Sequence, residues 1–438
     1  MRILVIGTGA REHAITRALS LDTEAHELHA APGNPGIGQL ATLHAVDQLD
    51  PEAVAGLALA IGAELVVVGP EAPLAAGVSD AVRQVGIPVF GPAGAAARLE
   101  SSKAFAKEVM AAAGVPTAMA HVCTSLDEVA AALDAFGAPF VVKDDGLAAG
   151  KGVVVTEDRD AALEHAAACL EKPEGRLVVE EYLDGPEVSL FCIADGADVV
   201  PLVPAQDFKR VGDGDAGPNT GGMGAYSPLD WAPEGLVEEV LERIARPTVA
   251  EMARRGTPFS GVLYVGLALT SRGTRVVEFN ARFGDPETQV VLARLRSPLA
   301  ALLLASATGT LAELPPLRWA EEAAVTVVVA SEGYPGSVRS GDPITGIEDA
   351  ESIEGVHVLH AGTALVPRPA GDDDAAPGEG VLVSAGGRVL SVVGIGADLA
   401  AARETVYAGV EQVELAGSHH RSDIALAALE GRVAVPGV

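Results

Sequence analysis

Short apolar β runs alternate with Ala-rich helical stretches over the first hundred residues, and this alternation limits the fold more than any other feature of the sequence. The runs cover residues 3–6, 27–30, 65–68 and 87–90, and Gly or Pro follows each of them closely. Strands that alternate with helices form a parallel, doubly wound sheet. The ligands of such sheets bind beyond the carboxyl ends of the strands.

The first of these strand ends is followed by the turn Gly7-Thr8-Gly9-Ala10-Arg11-Glu12-His13. Because the turn opens a helix, its free backbone N–H groups suit an anion. It does not match a dinucleotide-binding fingerprint, since Glu12 replaces the third glycine and the second strand ends without an acidic residue for a ribose. The turn therefore predicts a site for the phosphate of a smaller ligand, with a tight turn that binds nothing as the alternative.

The length of the chain indicates several domains, and its net charge argues against some classes of protein. The 438 residues suggest two to four domains, and 60 acidic against 30 basic residues give a net charge of −30. That charge argues against nucleic-acid binding, which needs basic surfaces. The N-terminus lacks the pattern of a signal peptide, the apolar runs are too short to cross a bilayer, and three cysteines stand far apart. We expect a soluble, cytoplasmic protein without disulfides, zinc or membrane contact.

A second region begins at Ser102, with a helix to about Ala113 and a series of strands over 139–143, 153–156, 177–183, 188–193, 261–270 and 275–280. The Gly-rich loop over 146–152 joins two strands, whereas a Walker A loop must open a helix. With Lys143 before it and Lys151 within it, the loop predicts a lid over a nucleotide triphosphate. A flexible hairpin without a ligand is the alternative.

Glu278 and Asn280 stand two apart on a predicted strand, so they share one face, while Val277 and Phe279 should point into a core. A carboxylate and an amide oxygen suit Mg²⁺; a solvated strand face is the alternative. In the turn that follows, Asp285 can cap a helix predicted over 286–307, and Arg282 is placed to stabilise phosphoryl charge.

Taken together, these motifs resemble the phosphoribosylamine–glycine ligases (glycinamide ribonucleotide synthetases), ATP-grasp enzymes of purine biosynthesis. The most specific segment is RFGDPETQV at 282–290. Supporting segments are GTGAREHA (7–14), APGN (31–34), VGPEAPL (68–74), DGLAAGKGV (145–153), EEYLDGPE (180–187), DFKRVGDGDAGPNTGGMGAYSP (207–228), HAGT (360–363) and GGRVL (386–390).

The resemblance implies a multidomain α/β protein: a phosphoribosylamine-binding domain over 1–101 with the doubly wound sheet, an α+β ATP-grasp domain over 102–310 with a lid over about 117–190, a linker over 311–322 and a small α/β domain over 323–438. It also implies an ATP-dependent carbon–nitrogen ligase that joins glycine to 5-phosphoribosylamine through glycyl phosphate. ATP and Mg²⁺ or Mn²⁺ would be required, and we expect a monomer.

The resemblance also assigns roles to single residues. Catalysis would involve Arg282, Lys143 and Asp285, and the metal would be held by Glu278 and Asn280. ATP would be bound by Lys103, Lys143, Gly150, Lys151, Gly152, Glu180, Glu181, Leu183 and Glu187, of which Glu180, Glu181 and Leu183 would contact the adenine and Glu187 the ribose. The other substrates would be bound by Gly9, Arg11, Asn34, Glu71, Asp207, Lys209, Arg210 and Asp213.

Three positions depart from the family pattern. Asp144 stands where Ala is usual, Ser101 stands where Gly is usual, and the connection over 171–176 is short. Strand alternation should turn Asp144 away from the face of Lys143. Three other functions stay open on the sequence: an ATP-grasp ligase or carboxylase with different substrates, a nicotinamide-dependent oxidoreductase, and a nucleotide sensor without catalysis.

Overall fold

The N-terminal alternation of strands and helices folds into a five-stranded parallel sheet with strand order β3-β2-β1-β4-β5. The computed structural model describes residues 1–147, 152–172, 175–367 and 380–437. The doubly wound sheet is confirmed, and the two-residue strand β3 at its edge was not predicted. Its elements are β1 Arg2–Gly7, α1 Ala10–Ser20, β2 Glu27–Pro32, β3 Thr42–Leu43, α2 Pro51–Ile61, β4 Leu65–Val68, α3 Glu71–Ala76, α4 Val78–Gln84, β5 Val89–Phe90 and α5 Gly94–Ser101.

The next stretch of chain forms a smaller body, called the lid below, around a four-stranded antiparallel sheet of order β6-β9-β7-β8. Helix α6 Lys103–Ala113 packs in the main core and leads into the lid, whose elements are β6 Ala120–Cys123, α7 Leu126–Phe136, β7 Phe140–Asp144, β8 Val153–Thr156, α8 Arg159–Leu170 and β9 Leu177–Glu180. The sheet has an apolar core of its own, which includes Val129, Leu133 and Val142. The hairpin of β7 and β8 is confirmed, and β9 ends at Glu180 rather than at 183.

The middle of the chain contributes a second antiparallel sheet of order β11-β10-β16-β17. Its elements and their neighbours are β10 Glu187–Asp195, β11 Val199–Pro201, β12 Gln206–Asp207, β13 Arg210–Gly212, β14 Ala216–Asn219, β15 Gly224–Ser227, α9 Leu236–Val240, α10 Arg246–Arg254, β16 Ser260–Thr270, β17 Gly273–Asn280, α11 Glu287–Arg294 and α12 Leu299–Thr308. A π-helical turn, Leu241–Ala245, joins α9 to α10.

A β-bulge in the β16–β17 hairpin changes which residues face the core. Leu267 pairs with Val276 and Gly266 pairs with Glu278, so Val277 is an extra residue on β17. The expectation that Val277 points into the core is wrong: Val276 is fully buried, and Val277 is half-buried. The bulge interrupts the alternation, and this places Val277 and Glu278 on the same side.

The single helix predicted over 286–307 is also wrong, because two helices, α11 and α12, are separated there by residues 295–298. Pro298 has no N–H to donate and disfavours the helical conformation of Ser297 before it. The second helix starts anew at Leu299, where the Asp22 carboxylate accepts the N–H groups of Leu299 and Ala300, both at 2.8 Å.

The C-terminal part is built on a five-stranded antiparallel sheet of order β12-β15-β18-β23-β20. Its elements are β18 Ala323–Ala330, β19 Ile344–Thr345, α13 Ile347–Glu351, β20 Val356–His360, β21 Thr363–Val366, β22 Val381–Ser384, β23 Arg388–Gly396, α14 Leu399–Val410, β24 Glu414–Leu415 and α15 Leu426–Leu429. Strands β12 and β15 come from the Gly-rich segment over 207–228, so that segment joins the middle of the chain to the C-terminal sheet. The domain boundaries stay a prediction. Within the described ranges, no helix has the length and apolarity needed to cross a membrane.

Candidate active site

A cavity of about 890 Å³, called the large cavity below, lies where the N-terminal sheet, the lid, the second sheet and the C-terminal sheet meet. Its lining includes most of the residues that the sequence singled out. The predicted residues in the lining are Arg11, Glu71, Lys103, Lys143, Gly152, Glu180, Glu181, Leu183, Glu187, Asp207, Lys209, Arg210, Glu278, Asn280, Arg282 and Asp285.

Three predicted substrate residues lie outside this lining and make structural contacts instead. The Gly9 N–H donates to Glu12 Oε2 at 2.6 Å, so the glutamate that replaces the third glycine satisfies one of the N–H groups expected to meet a phosphate. The Asn34 amide donates to the carbonyls of Thr8 and His360, both at 2.8 Å. Asp213 accepts the N–H of Ser422 at 2.8 Å. Gly150 and Lys151 lie outside the described residues.

A buried carboxylate holds two lysines on the lid side of the large cavity. Glu180 pairs with Lys107 at 2.9 Å and with Lys143 at 2.8 Å. Burial lowers the pKa of Lys143, but Glu180 and Glu278 outweigh burial and raise it above its ordinary value. Lys143 therefore stays charged, whereas burial lowers the pKa of Lys107 and Glu180 only partly opposes that shift. Sequence reasoning missed Lys107, although it follows Lys103 by four residues on α6, a spacing that places two side chains on one helix face.

Glu278 lies near several cations, and these keep its side chain ionised. Burial raises the pKa of Glu278, but Lys209, Lys143, Lys103 and Arg282 lower it below its ordinary value, so the side chain is a carboxylate. With the amide oxygen of Asn280 on the same strand and in the same cavity lining, it forms a set of hard oxygen donors. This chemistry fits Mg²⁺ or Mn²⁺, which take further ligands from water and phosphate.

Arg282, which also lines the large cavity, is held between two carboxylates. Its Nε lies 3.1 Å from Glu71 Oε2, and its Nη2 lies 3.1 Å from Glu100 Oε1. Burial raises the pKa of Glu71, but Arg282 and Arg11 outweigh burial and bring it down to about 2. The guanidinium is thus oriented before any ligand binds. Glu100 was missed because it lies within a helical stretch, α5, that carries no recognisable motif.

Asp285 does not cap α11, contrary to the expectation from the sequence. The helix begins at Glu287 without a side-chain cap, and the Asp285 carboxylate instead accepts from Gln289 Nε2 at 2.8 Å and from Arg388 Nη2 at 3.0 Å. Arg388 belongs to β23 and also donates to the backbone carbonyl of Asp285 at 2.8 Å. The C-terminal sheet therefore supplies a cation to the large cavity; Arg388 stands in the segment GGRVL (386–390), but the sequence analysis gave it no role.

Several carboxylates surround Lys209 in the large cavity. Lys209 pairs with Glu187. Burial raises the pKa of Asp207 to about 7; Lys209 opposes this shift, and Glu287, Glu187 and Glu278 add to it. Arg210 donates to the carbonyl of Gly217 at 2.8 Å, which ties β13 to the start of β14.

Two of the departures from the family pattern contact each other. Asp144 pairs with Lys172, which lies in the short connection over 171–176, while Lys143 points to Glu180. Asp144 is therefore turned away from the face of Lys143, as strand alternation predicts. Next to it, Arg176 donates to Asp145 at 2.6 Å, and Asp145 accepts the N–H of Ala104 at 2.6 Å. The short connection thus joins β7 to the start of α6.

Comparison with known families agrees with this architecture along almost the whole chain. Three models of phosphoribosylglycinamide synthetase match: the N domain over residues 1–100, the ATP-grasp (A) domain over 101–288 and the C domain over 324–427. A phosphoribosylamine–glycine ligase of Streptomyces coelicolor is 66% identical over 427 residues, which cover 97% of this chain and 99% of that protein. The one of Corynebacterium ammoniagenes is 51% identical over 440 residues, covering 99% of this chain and 100% of that protein.

Solved structures show the same fold. The crystal structure of phosphoribosylamine–glycine ligase from Thermotoga maritima superposes with a TM-score of 0.81 at 31% identity and covers 97% of this chain and 100% of that one. A biotin carboxylase from Campylobacter jejuni gives a TM-score of 0.71 at 15% identity, covers 98% and 95% of the two chains, and shares the fold alone. The expected fold class, with its ATP-grasp centre, is therefore confirmed. The chain belongs to the phosphoribosylglycinamide synthetase family.

Proposed function

We propose that this protein ligates glycine to 5-phosphoribosylamine, converting ATP to ADP and phosphate and forming glycinamide ribonucleotide. The observation that supports this most directly is the large cavity, in which Lys103, Lys143 and Arg282 lie around the carboxylate of Glu278. Relatives that match over nearly the whole chain carry the name of this activity. It is a step of purine biosynthesis, and we propose that it takes place in the cytoplasm. That the enzyme is a monomer stays a prediction.

The chemistry requires activation of a carboxylate, because an amine does not displace oxide from a carboxylate at neutral pH. An oxygen of glycine's carboxylate attacks the γ-phosphorus of ATP, the bond to the β-phosphate oxygen breaks, and ADP leaves. The amino group of phosphoribosylamine then attacks the acyl carbon, and phosphate leaves with the carboxylate oxygen. The protein contributes position and charge rather than a nucleophile.

The contacts in the large cavity support different roles for the residues that would bind ATP. Lys103 and Lys143 would bind the phosphates, with the lid loop around Gly150, Lys151 and Gly152 covering them. Since the Glu180 carboxylate is engaged by Lys107 and Lys143, we propose that it positions the lysines. Glu181 and Leu183 would then contact the adenine, and Glu187 the ribose.

On the acceptor side, Arg282 would stabilise the charge that develops on the transferred phosphoryl group, since its orientation is fixed by Glu71 and Glu100. Asp285, held by Arg388, would fix the turn that carries Arg282. Arg11 and Glu71 would contact phosphoribosylamine, while Gly9 and Asn34 would shape the turn below it. The residues Asp207, Lys209 and Arg210 would line the acceptor pocket, and Asp213 would support them through Ser422.

Glu278 and Asn280 would hold Mg²⁺ or Mn²⁺. Such a metal ion, when bound, neutralises charge on the phosphates of ATP. The protein's own part is to present these two oxygen donors from one strand, with Glu278 kept ionised by the surrounding lysines.

ADP release tests the proposal when glycine and freshly prepared phosphoribosylamine are each omitted in turn. We expect ADP release that depends on both substrates and yields one glycinamide ribonucleotide per ADP. Release that needs another carboxylate or another amine would contradict the proposal and indicate a different ATP-grasp ligase.

A further inference from the structure

A second cavity of about 270 Å³, called the small cavity below, lies at the junction of α1, α11 and the C-terminal sheet. Its lining does not overlap that of the large cavity. Helix α1 contributes Arg17, the turn after α11 contributes Arg296, and β20 contributes His357. These three side chains make the small cavity basic in a protein whose net charge is −30.

The small cavity contains little negative charge to balance these groups. Asp22 is the one carboxylate in its described lining, and both of its oxygens are already engaged by the N-terminus of α12 and by His26. Arg296 reaches Glu322 only at 3.7 Å, and half of its side chain is exposed. Within the described residues, Arg17 has no carboxylate within 4.0 Å.

Arg17 and His357 are the groups that most need a partner. Burial lowers the pKa of the Arg17 guanidinium, and the negative charge of Glu351 on α13 opposes this shift without cancelling it. His357 is only 7% exposed, and no hydrogen bond to its ring is found among the described residues. Burial and Arg17 hold the pKa of His357 well below its usual range. The ring is therefore a neutral imidazole, able to donate one N–H to an acceptor in the small cavity.

The rest of the lining is apolar and includes Ala14, Leu292, Leu295 and Ile395. The volume is slightly below the 300–1,000 Å³ that is typical of drug-sized ligands, so an occupant must be compact. A guanidinium fork matches an oxyanion with two acceptor oxygens. We propose that the small cavity binds a compact organic oxyanion, a phosphate monoester or a carboxylate on a small apolar body, through Arg17, Arg296 and His357.

Gln289 links the small cavity to the large one. Gln289 lines the small cavity, and its Nε2 donates to Asp285 Oδ1 at 2.8 Å, beside Arg388. An anion bound at Arg17 would therefore contact the helix that carries Gln289. The proposal of an anion site does not depend on the proposed ligase activity, since the two cavities have separate linings.

Isothermal titration of the intact protein, with Mg·ADP present to fill phosphate positions in the large cavity, tests the proposal. The probes are phenyl phosphate and benzoate, with phenol as the uncharged control. We expect one saturable site for at least one of the two anions and none for phenol, and the preferred anion distinguishes a phosphate monoester from a carboxylate. No saturable binding, or equal binding of phenol, would overturn the proposal.

Substitutions of the lining residues test whether the anion binds in the small cavity. Arg17→Ala should weaken binding at least tenfold, and His357→Phe, which keeps a ring but removes the N–H, should weaken it to a smaller extent. Arg246→Ala is the matched control, because it also removes one positive charge. Arg246 lies on α10, away from the small cavity, and forms an exposed ion pair with Glu242. If Arg17→Ala unfolds, Arg17→Lys keeps the charge but removes the fork and should still weaken binding. Unchanged affinity in folded Arg17 variants would contradict the assignment.

Discussion

Glu278 carries a negative charge and lies near four cations of the large cavity. Lys209, Lys143, Lys103 and Arg282 all lower its pKa, although burial opposes ionisation. The same carboxylate raises the pKa of Lys143, so the charges hold each other in place. A neutral amide at this position would keep the shape of the side chain. It would remove the negative charge proposed to bind the metal and to offset the charge of the nearby lysines.

Glu278→Gln should therefore leave the fold intact and reduce ATP-dependent turnover at least about 100-fold, the scale of losing one preorganised electrostatic contact. The measurement is ADP release at limiting and at saturating Mg²⁺, with Glu238→Gln on the exposed face of α9 as the control. Near-wild-type turnover of Glu278→Gln at limiting Mg²⁺ would show that Glu278 does not hold the metal.

At the scale of single elements, a strand or turn could be predicted where neighbouring residues determine it, and could not be where a distant part of the chain does. The strand over 65–68 and the β7–β8 hairpin follow from apolar runs bounded by Gly or Pro, and they were predicted. The bulge at Val277 was not, because it depends on how β17 pairs with a strand ten residues earlier. Arg388 reaches Asp285 from a strand about a hundred residues away, and no local pattern reports such a contact.

One contact between elements is tight enough to test. A Cβ built on Gly394 of β23 would lie 2.4 Å from the Val406 nitrogen and 2.7 Å from the Ala402 carbonyl oxygen, both backbone atoms of α14. Gly394→Ala should force α14 away from the sheet and destabilise the protein by about 1–3 kcal/mol or more. Thermal unfolding followed by circular dichroism measures the change.

Gly56→Ala is the matched control for this substitution. Gly56 lies inside α2, and no atom lies within 4 Å of a Cβ built there. Alanine at this helical position should stabilise the protein by up to about 1 kcal/mol. Equal unfolding temperatures for the Gly394 and Gly56 variants would contradict the close packing of α14 on β23.

Across the whole molecule, helix α1 of the N-terminal part is joined to strand β20 of the C-terminal sheet through buried histidines. The His360 N–H donates to His13 Nδ1 at 2.8 Å, and Asn34 donates to the carbonyl of the same His360. Burial lowers the pKa of His13 to about 3 and that of His360 to about 4. His13 must stay neutral at Nδ1 to accept this hydrogen bond, so protonation would break the junction.

These shifts predict that stability falls at mildly acidic pH. An unfolded histidine has a pKa of about 6.5, so between about pH 6.5 and 4 the unfolded chain binds protons that the folded chain does not. The stability contributed by the neutral histidines is fully present about one pH unit or more above 6.5. Below pH 6.5 each buried histidine lowers the free energy of unfolding by up to about 1.4 kcal/mol per pH unit. Urea unfolding at pH 7.5, 6.5 and 5.5 should show the midpoint falling in both intervals, and about three times as far in the second as in the first.

His357→Phe provides the comparison, since it removes one buried histidine whose pKa is also lowered. Its unfolding midpoint should depend less steeply on pH between 6.5 and 5.5 than that of the unsubstituted protein. A midpoint that stays constant from pH 7.5 to 5.5 would show that the buried histidines at the junction do not titrate as the structure requires.

The central claim is that ATP activates the carboxylate of glycine in the large cavity, and the fate of one oxygen tests it most directly. If that carboxylate attacks the γ-phosphorus, glycine labelled with ¹⁸O in both carboxylate oxygens must deliver one ¹⁸O to inorganic phosphate per turnover, and the amide must keep the other. Mass spectrometry of the released phosphate measures the transfer. We expect singly labelled phosphate in a one-to-one ratio with glycinamide ribonucleotide; unlabelled phosphate formed together with the amide product would contradict the account.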